Sequence, residues 1–224
     1  MGNAVSAQEH SVIEPDSTAM LIYSAERTSE DVYKLSTSLG SFFLRAAYLN
    51  DAQFIIDFDD LESNTQVSSE ISEKILDAAL AFSAEHAAVS YLERAEHSTE
   101  LLRRKLKLKG HSDAAIQKAL EYAQNRNWLS DERYAGAFLR NRSIRKAEGR
   151  TRLLAELAAR GISRDTAEKA LEEFFAQKSE ASLLEKAADK LKKQGKTKEQ
   201  AQQALIRLGF SWSDIKFYIK NNWI

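Results

Sequence analysis

Two clusters of cations are the residues in this sequence best placed to do chemistry. Arg103, Arg104 and Lys107 form the first; Arg140, Arg142, Arg145, Lys146, Arg150 and Arg152 form the second. Rows of guanidinium and ammonium groups at helical spacing suit a polyanion, either a phosphate backbone or an acidic protein surface. Leu102 and Leu106 lie four residues apart and would face inward, which leaves Arg103 and Lys107 as a separate row. A third run, Lys186, Lys190, Lys192, Lys193, Lys196 and Lys198, follows near the C-terminus. No aromatic residues interleave with these bases, so stacking on single-stranded bases is not indicated. The alternative is that the cations only solvate helix surfaces.

The sequence holds no recognisable catalytic constellation. The chain has no cysteine, which excludes a thiol nucleophile, a disulfide scaffold and any thiolate-bound metal. His10, His86, His97 and His111 have no spacing that makes a metal site. Asp57, Asp59, Asp60 and Glu62 lack the glycine and distal glutamate of a calcium loop and read as a solvated turn. The eight glycines are isolated, so no loop cradles a phosphate. No catalytic residue, metal or cofactor is therefore expected, and the chain is not read as an enzyme.

The elements that position the cations follow from composition and period. Of 224 residues, 29% are charged and only one is proline, a balance that favours a mainly α protein over a sandwich or barrel. No apolar run approaches the ~20 residues of a membrane-spanning helix. Met1–Asp16 has neither the basic nor the apolar region of a secretory signal, and a cytoplasmic location is expected. The net charge of −1 conceals two halves: residues 1–80 carry −10 and residues 81–224 carry +9. An acidic leader on a basic array could fold back and mask it.

Residues 1–16 are small and polar and are expected to be disordered. Residues 17–66 hold short β-branched and aromatic runs: Met20–Tyr23, Val32–Leu35, Phe42–Leu44 and Phe54–Phe58. These read as a small β-hairpin or meander, although Phe42–Leu49 could also be helical. From Ser68 the period becomes 3.6, with Ile71, Ile75, Ala78, Phe82, Val89 and Leu92 on one stripe, as one long helix or two.

An internal repeat dominates the remainder. Gly110, Gly161 and Gly209 are 51 and 48 residues apart. Each has a leucine four residues earlier (Leu106, Leu157, Leu205) and a serine two residues later (Ser112, Ser163, Ser211). The glycine closes one helix in the left-handed conformation and the serine caps the next. Asp113, Asp165 and Asp214 then sit where the helix dipole favours negative charge. With a preceding helix, each unit has three helices, giving repeats over 67–130, 131–178 and 179–224. Trp128 and Trp212 flank the junctions as packing residues. The helix after each glycine starts acidic and carries few bases, which suits packing better than reading a DNA groove.

The order and spacing of several segments from about Ala87 to Asn221 resemble the RecX family of bacterial recombination regulators. They are Ala88–Leu92, Ser98–Leu101, Leu106–Gly110, Trp128–Ala135, Lys146–Leu153, Glu156–Ile162 and Gly209–Trp212. Arg150 stands where the family commonly has proline, and residues 1–80 match only loosely the β-hairpin extension of longer members. The resemblance implies three tandem three-helix modules in an elongated, curved array. It also implies a monomer that binds the RecA recombinase filament on single-stranded DNA, with double-stranded DNA a further candidate. Members limit filament growth and so restrain strand exchange, ATP hydrolysis and co-protease activity in DNA repair, recombination and the SOS response. The nine cations of the first two clusters are the expected recombinase- and DNA-binding surface. Two other functions remain open on the residues alone: a sequence-tolerant DNA-binding helical protein, and a helical-repeat scaffold for protein interactions.

Overall fold

The computed structural model describes residues 19–49 and 57–223. The expected disordered leader and Phe54, Ile55 and Ile56 of the expected fourth strand lie outside the described residues. The chain divides into two compact units, Met1–Ser83 and Ala84–Ile224.

The first unit holds β1 (Met20–Ser29), β2 (Val32–Thr37), β3 (Gly40–Arg45) and β4 (Thr65–Val67). They form one antiparallel sheet in the order β3-β2-β1-β4. Gly40 takes φ +118 at the β2–β3 turn, a conformation that side-chain-bearing residues rarely adopt. Alternation puts Met20, Ile22, Leu35 and Leu44 in the core, where Ile75 and Ala78 of α1 (Ser69–Leu92) pack with them. Phe42–Leu49 resolves into strand as far as Arg45 and a single 3-10 turn over Ala46–Leu49. The strand that pairs with β1 on its edge away from β2 is Thr65–Val67, and Phe58 lies in the core without belonging to a strand. The stripe from Ser68 is one helix, α1.

In the second unit follow α2 (Thr99–Leu108), α3 (Asp113–Asn125), α4 (Asp131–Arg145), α5 (Arg150–Ala158), α6 (Arg164–Gln177), α7 (Glu180–Lys193), α8 (Lys198–Arg207) and α9 (Trp212–Asn222). The repeated glycines close α2, α5 and α8 at φ +89, +80 and +87. After each one, the next amide reaches back to the leucine carbonyl four residues before the glycine. His111 bonds Leu106 at 3.3 Å, Ile162 bonds Leu157 at 3.2 Å and Phe210 bonds Leu205 at 3.3 Å. This is the six-residue closure that glycine permits, and it absorbs carbonyls that the helix end would leave unpaired. Ser112, Ser163 and Ser211 then accept the amides of Ala115, Thr166 and Asp214 at 3.1–3.2 Å.

Apolar residues at helical spacing bury against one another within each repeat. Leu102, Leu106, Ile116 and Leu120 form one cluster with Ala88 of α1. Leu139, Leu153, Leu157 and Leu171 form another that is continuous with Leu183, Leu205, Ile215 and Ile219. The second and third repeats therefore share a core, each large side chain contributing about 1.5–3 kcal/mol. Trp128 and Trp212 both depart from the packing expectation, since each is an exposed residue.

Candidate polyanion-binding cleft

The joint between the second and third repeats sets the geometry of the candidate site. The first turn of α5 meets the last turn of α8 head to tail. The Gly149 amide donates to the Leu208 carbonyl at 2.9 Å, and the Thr151 amide to the Gly209 carbonyl at 3.3 Å. Unpaired amides of one helix start thus satisfy unpaired carbonyls of another helix end. The Arg150 amide donates to Glu180 Oε1 of α7 at 2.8 Å. A proline at this position would have no such donor. A Cβ on Gly149 would lie 2.4 Å from the Gly209 carbonyl oxygen, so only glycine fits.

The first and second repeats meet by the same device. The Ser98 hydroxyl donates to the Arg160 carbonyl at 2.7 Å, and the Thr99 amide to Asp131 Oδ1 at 2.7 Å. Gly161 is covered by Glu100, whose Cβ would lie 2.3 Å from a Cβ there. Each joint therefore uses the carbonyl just before a repeat glycine and an acid from the first turn of the following repeat.

Beside the second joint opens a cleft of about 730 Å³ between the end of α4 and α7–α8. Leu183, Ala187, Leu191, Ala204 and Leu208 supply its apolar lining. Six cations line it as well: Arg145, Lys146, Arg152, Lys186, Lys190 and Arg207. Lys186 and Lys190 are one turn apart on α7 and form a single row. The side chains of Arg145, Lys146, Lys186, Lys190 and Arg207 have no hydrogen bond or ion pair among the described residues. The one acid in the lining, Glu148, is already bonded to Arg142 at 3.0 Å. A second groove of about 620 Å³ shares Ile144, Arg145 and Lys146 with the first and adds Phe138, Asn141 and Arg142.

An ion network stands behind this ridge. Arg142 bridges Glu148 and Glu156, the latter at 3.0 Å, and Glu156 also holds Arg152 at 2.9 Å and Arg160 at 2.8 Å. The Arg142 side chain is only 14% exposed and Glu148 only 5%. The hydrogen bond to Glu148 is the main reason that Arg142 holds its proton more firmly than a free arginine, against the pull of burial. Burial alone would raise the Glu156 carboxyl. The Arg160 hydrogen bond and the charges of Arg142, Arg160 and Arg152 outweigh it and hold the group below its ordinary value.

With this geometry in view, two family models match the second unit: the first three-helix domain of RecX over residues 84–122 and the second over 130–171. The regulatory protein RecX of Treponema pallidum (strain Nichols) is 35% identical over 135 residues, which cover 60% of this chain and 82% of the relative. The chain belongs to the RecX family. A second member, regulatory protein RecX of Caldanaerobacter subterraneus subsp. tengcongensis, is 27% identical over 156 residues, covering 70% of this chain and 79% of that one. A crystal structure of regulatory protein RecX superposes with a TM-score of 0.70 at 20% identity, covering 91% of this chain and 100% of that one. RecX from Lactobacillus salivarius gives 0.56 at 20% identity, covering 63% and 96%. The chain thus shares the RecX fold and belongs to a family of regulatory proteins. No helix among the described residues is long and apolar enough to cross a membrane.

Of the nine cations singled out in the sequence, only some line the cleft. Arg145, Lys146 and Arg152 meet at the cleft. Arg142 lies mostly buried and engages Glu148 and Glu156 within the protein. Arg103 bonds Gln117 at 2.8 Å, Arg104 pairs with Glu100 at 2.7 Å and Lys107 with Asp113 at 3.0 Å, all on the first repeat. Arg140 is exposed outside the cleft, lying against Gly136. Arg150 lies over the Phe175 ring at 5.0 Å. Sequence order also concealed cation–aromatic contacts, since Arg160 and Arg142 both lie over Phe138, at 4.4 and 5.5 Å. Lys186 and Lys190 of the third basic run, left out of the expected surface, and Arg207, outside all three basic runs, complete the cleft. The four-residue spacing of the two lysines was a signal; their meeting with Arg145 depends on the joint.

Proposed function

We propose that this chain binds the RecA recombinase assembled on single-stranded DNA and restrains filament growth. ATP hydrolysis, strand exchange and co-protease activity fall with it, in the recombination, repair and SOS response of the cytoplasm. The observation that carries this reading is the concentration in one cleft of five cations that, among the described residues, have no side-chain partner, beside a single lining acid already bonded to Arg142. Like charges gathered in this way repel and are relieved by a polyanion. The names of the relatives, regulatory protein RecX, supply the regulatory role.

The cleft takes nucleic-acid phosphates, single-stranded first and double-stranded second, while neighbouring surface meets the recombinase. The protein acts as a monomer and by binding alone, with no catalytic residue, metal or cofactor. The test is filament binding by Lys186→Glu/Lys190→Glu/Arg207→Glu in the full chain, with helicity checked by circular dichroism. Loss of binding with helicity kept supports the reading, and unchanged binding removes the cleft from it. A sequence-tolerant DNA binder draws on the same cleft; that alternative requires naked DNA to bind as tightly as filaments do.

A further inference from the structure

We infer that Ile144 is a base-contacting residue, an apolar tip that touches the bases of a single nucleic-acid strand while the surrounding cations hold its phosphates. The inference rests on the polyanion reading of the cleft and adds what part of the strand the protein reads.

Ile144 occupies the last turn of α4 and is 80% exposed, although isoleucine is among the residues most often buried. A single exposed apolar residue is ordinary on a protein surface, but the position of this one is not. Ile144 lines both the 730 Å³ cleft and the adjoining 620 Å³ groove, so it crowns the ridge that separates them. Arg145 and Lys146 follow it directly and line the same two grooves. The ridge is anchored from behind, because Arg142, two residues earlier on α4, is tied to Glu148 and Glu156. The Lys178 ammonium adds a bond to the Ser143 hydroxyl at 3.0 Å. The tip is therefore held in place and needs no rearrangement to meet a ligand.

Charge complementarity selects the occupant. A ridge bounded by cations with no partner among the described residues attracts a chain of phosphates, and an apolar side chain among them gains only where the same ligand offers an apolar face. The faces of unpaired bases do so. In a duplex those faces are stacked, and a wedge must first unstack them. The single strand is thus the favoured ligand.

The full-length protein tests this with two oligonucleotides of equal length and charge: oligothymidylate, and the same backbone bearing abasic sites throughout. The wild type is expected to bind oligothymidylate about fivefold more tightly than the abasic strand, the effect of burying part of one aliphatic side chain. Ile144→Ser is expected to bind both strands alike, at the abasic level. Lys190→Ala is expected to weaken both strands and keep their ratio. Equal binding of the two strands by the wild type, or a ratio unchanged in Ile144→Ser, overturns the inference while leaving the cleft in place. Loss of recombinase restraint in Ile144→Ser with the strand ratio retained also overturns it and assigns the tip to a protein surface. Failure of the wild type to bind either strand removes the nucleic-acid reading of the cleft itself.

Discussion

The amide of Gly149 donates to the carbonyl of Leu208 at 2.9 Å, joining the start of one repeat's middle helix to the end of the next repeat's middle helix. The hydroxyl of Ser98 and the carbonyl of Arg160 make the corresponding joint one repeat earlier, at 2.7 Å. Two of the three repeat glycines are thus sealed by a neighbouring helix start, and the third, Gly110, has nothing within 4 Å of where its Cβ would be.

This difference separates two costs at chemically equivalent positions. Gly110→Ala bears only the left-handed backbone, about 1 kcal/mol. Gly209→Ala bears the same backbone cost and also drives a Cβ to 2.3 Å from the Arg152 amide nitrogen. Its expected loss is about 3 kcal/mol once overpacking is added. Urea unfolding of the two variants side by side measures the gap; equal losses would show that the joint yields without strain.

The Arg142 network predicts a second division, between structural and contact cations. Arg142→Ala leaves Glu148 and Glu156 short of a partner in a largely buried site, which should destabilise the protein by about 3 kcal/mol. Arg145→Ala removes an exposed, unpaired side chain and should change stability by less than about 0.5 kcal/mol. Thermal unfolding distinguishes them. Reversing the whole middle cluster to glutamate would therefore confound unfolding with loss of contact, and variants should spare Arg142.

The Glu156 carboxyl gives the pH dependence its sign. Its folded value lies below the ordinary one, so the folded state binds fewer protons than the unfolded state in the acid range. The resulting stability is present above the ordinary carboxylate value and is lost as pH falls through the lower, folded value. Unfolding experiments between pH 7 and pH 3 should show a loss in that window. Glu156→Gln should be less stable at neutral pH and show a shallower acid loss. A slope identical to that of the wild type would mean that other carboxylates account for the acid sensitivity.

The cleft cations should register in salt dependence. Each phosphate contact removed lowers the slope of log affinity against log salt by about 1. Lys186→Ala, Lys190→Ala and Arg207→Ala should each reduce it by about that amount for single-stranded DNA, measured by fluorescence anisotropy across a salt series. Arg104→Ala should leave it nearly unchanged, because Arg104 is already paired with Glu100.

Much of the second unit was legible in the sequence because its signals are local. A glycine closure, a serine cap and a leucine four residues upstream act within a few residues, and all three copies behave as their spacing requires. The small sheet was legible as strands but not in full, since Thr65–Val67 is three residues long and gains its identity from pairing with Met20–Ile22. The cleft was legible only in part. Arg145, Lys146 and Arg152 stand out as a cluster, whereas Lys186, Lys190 and Arg207 join them through backbone bonds between residues 149 and 208. Arg142 shows the converse: its neighbours in sequence suggest a surface, and Glu148 and Glu156 give it an interior role.

RecA ATPase on single-stranded DNA tests most directly whether the cleft restrains the recombinase filament. The wild type and Lys186→Ala/Lys190→Ala/Arg207→Ala are titrated at one salt concentration, with binding to naked DNA measured in parallel. The wild type is expected to lower ATPase at concentrations too low to coat the DNA, and the triple variant to require at least about tenfold more. Inhibition that appears only when free DNA is saturated, or a triple variant as potent as the wild type, would contradict restraint by the cleft.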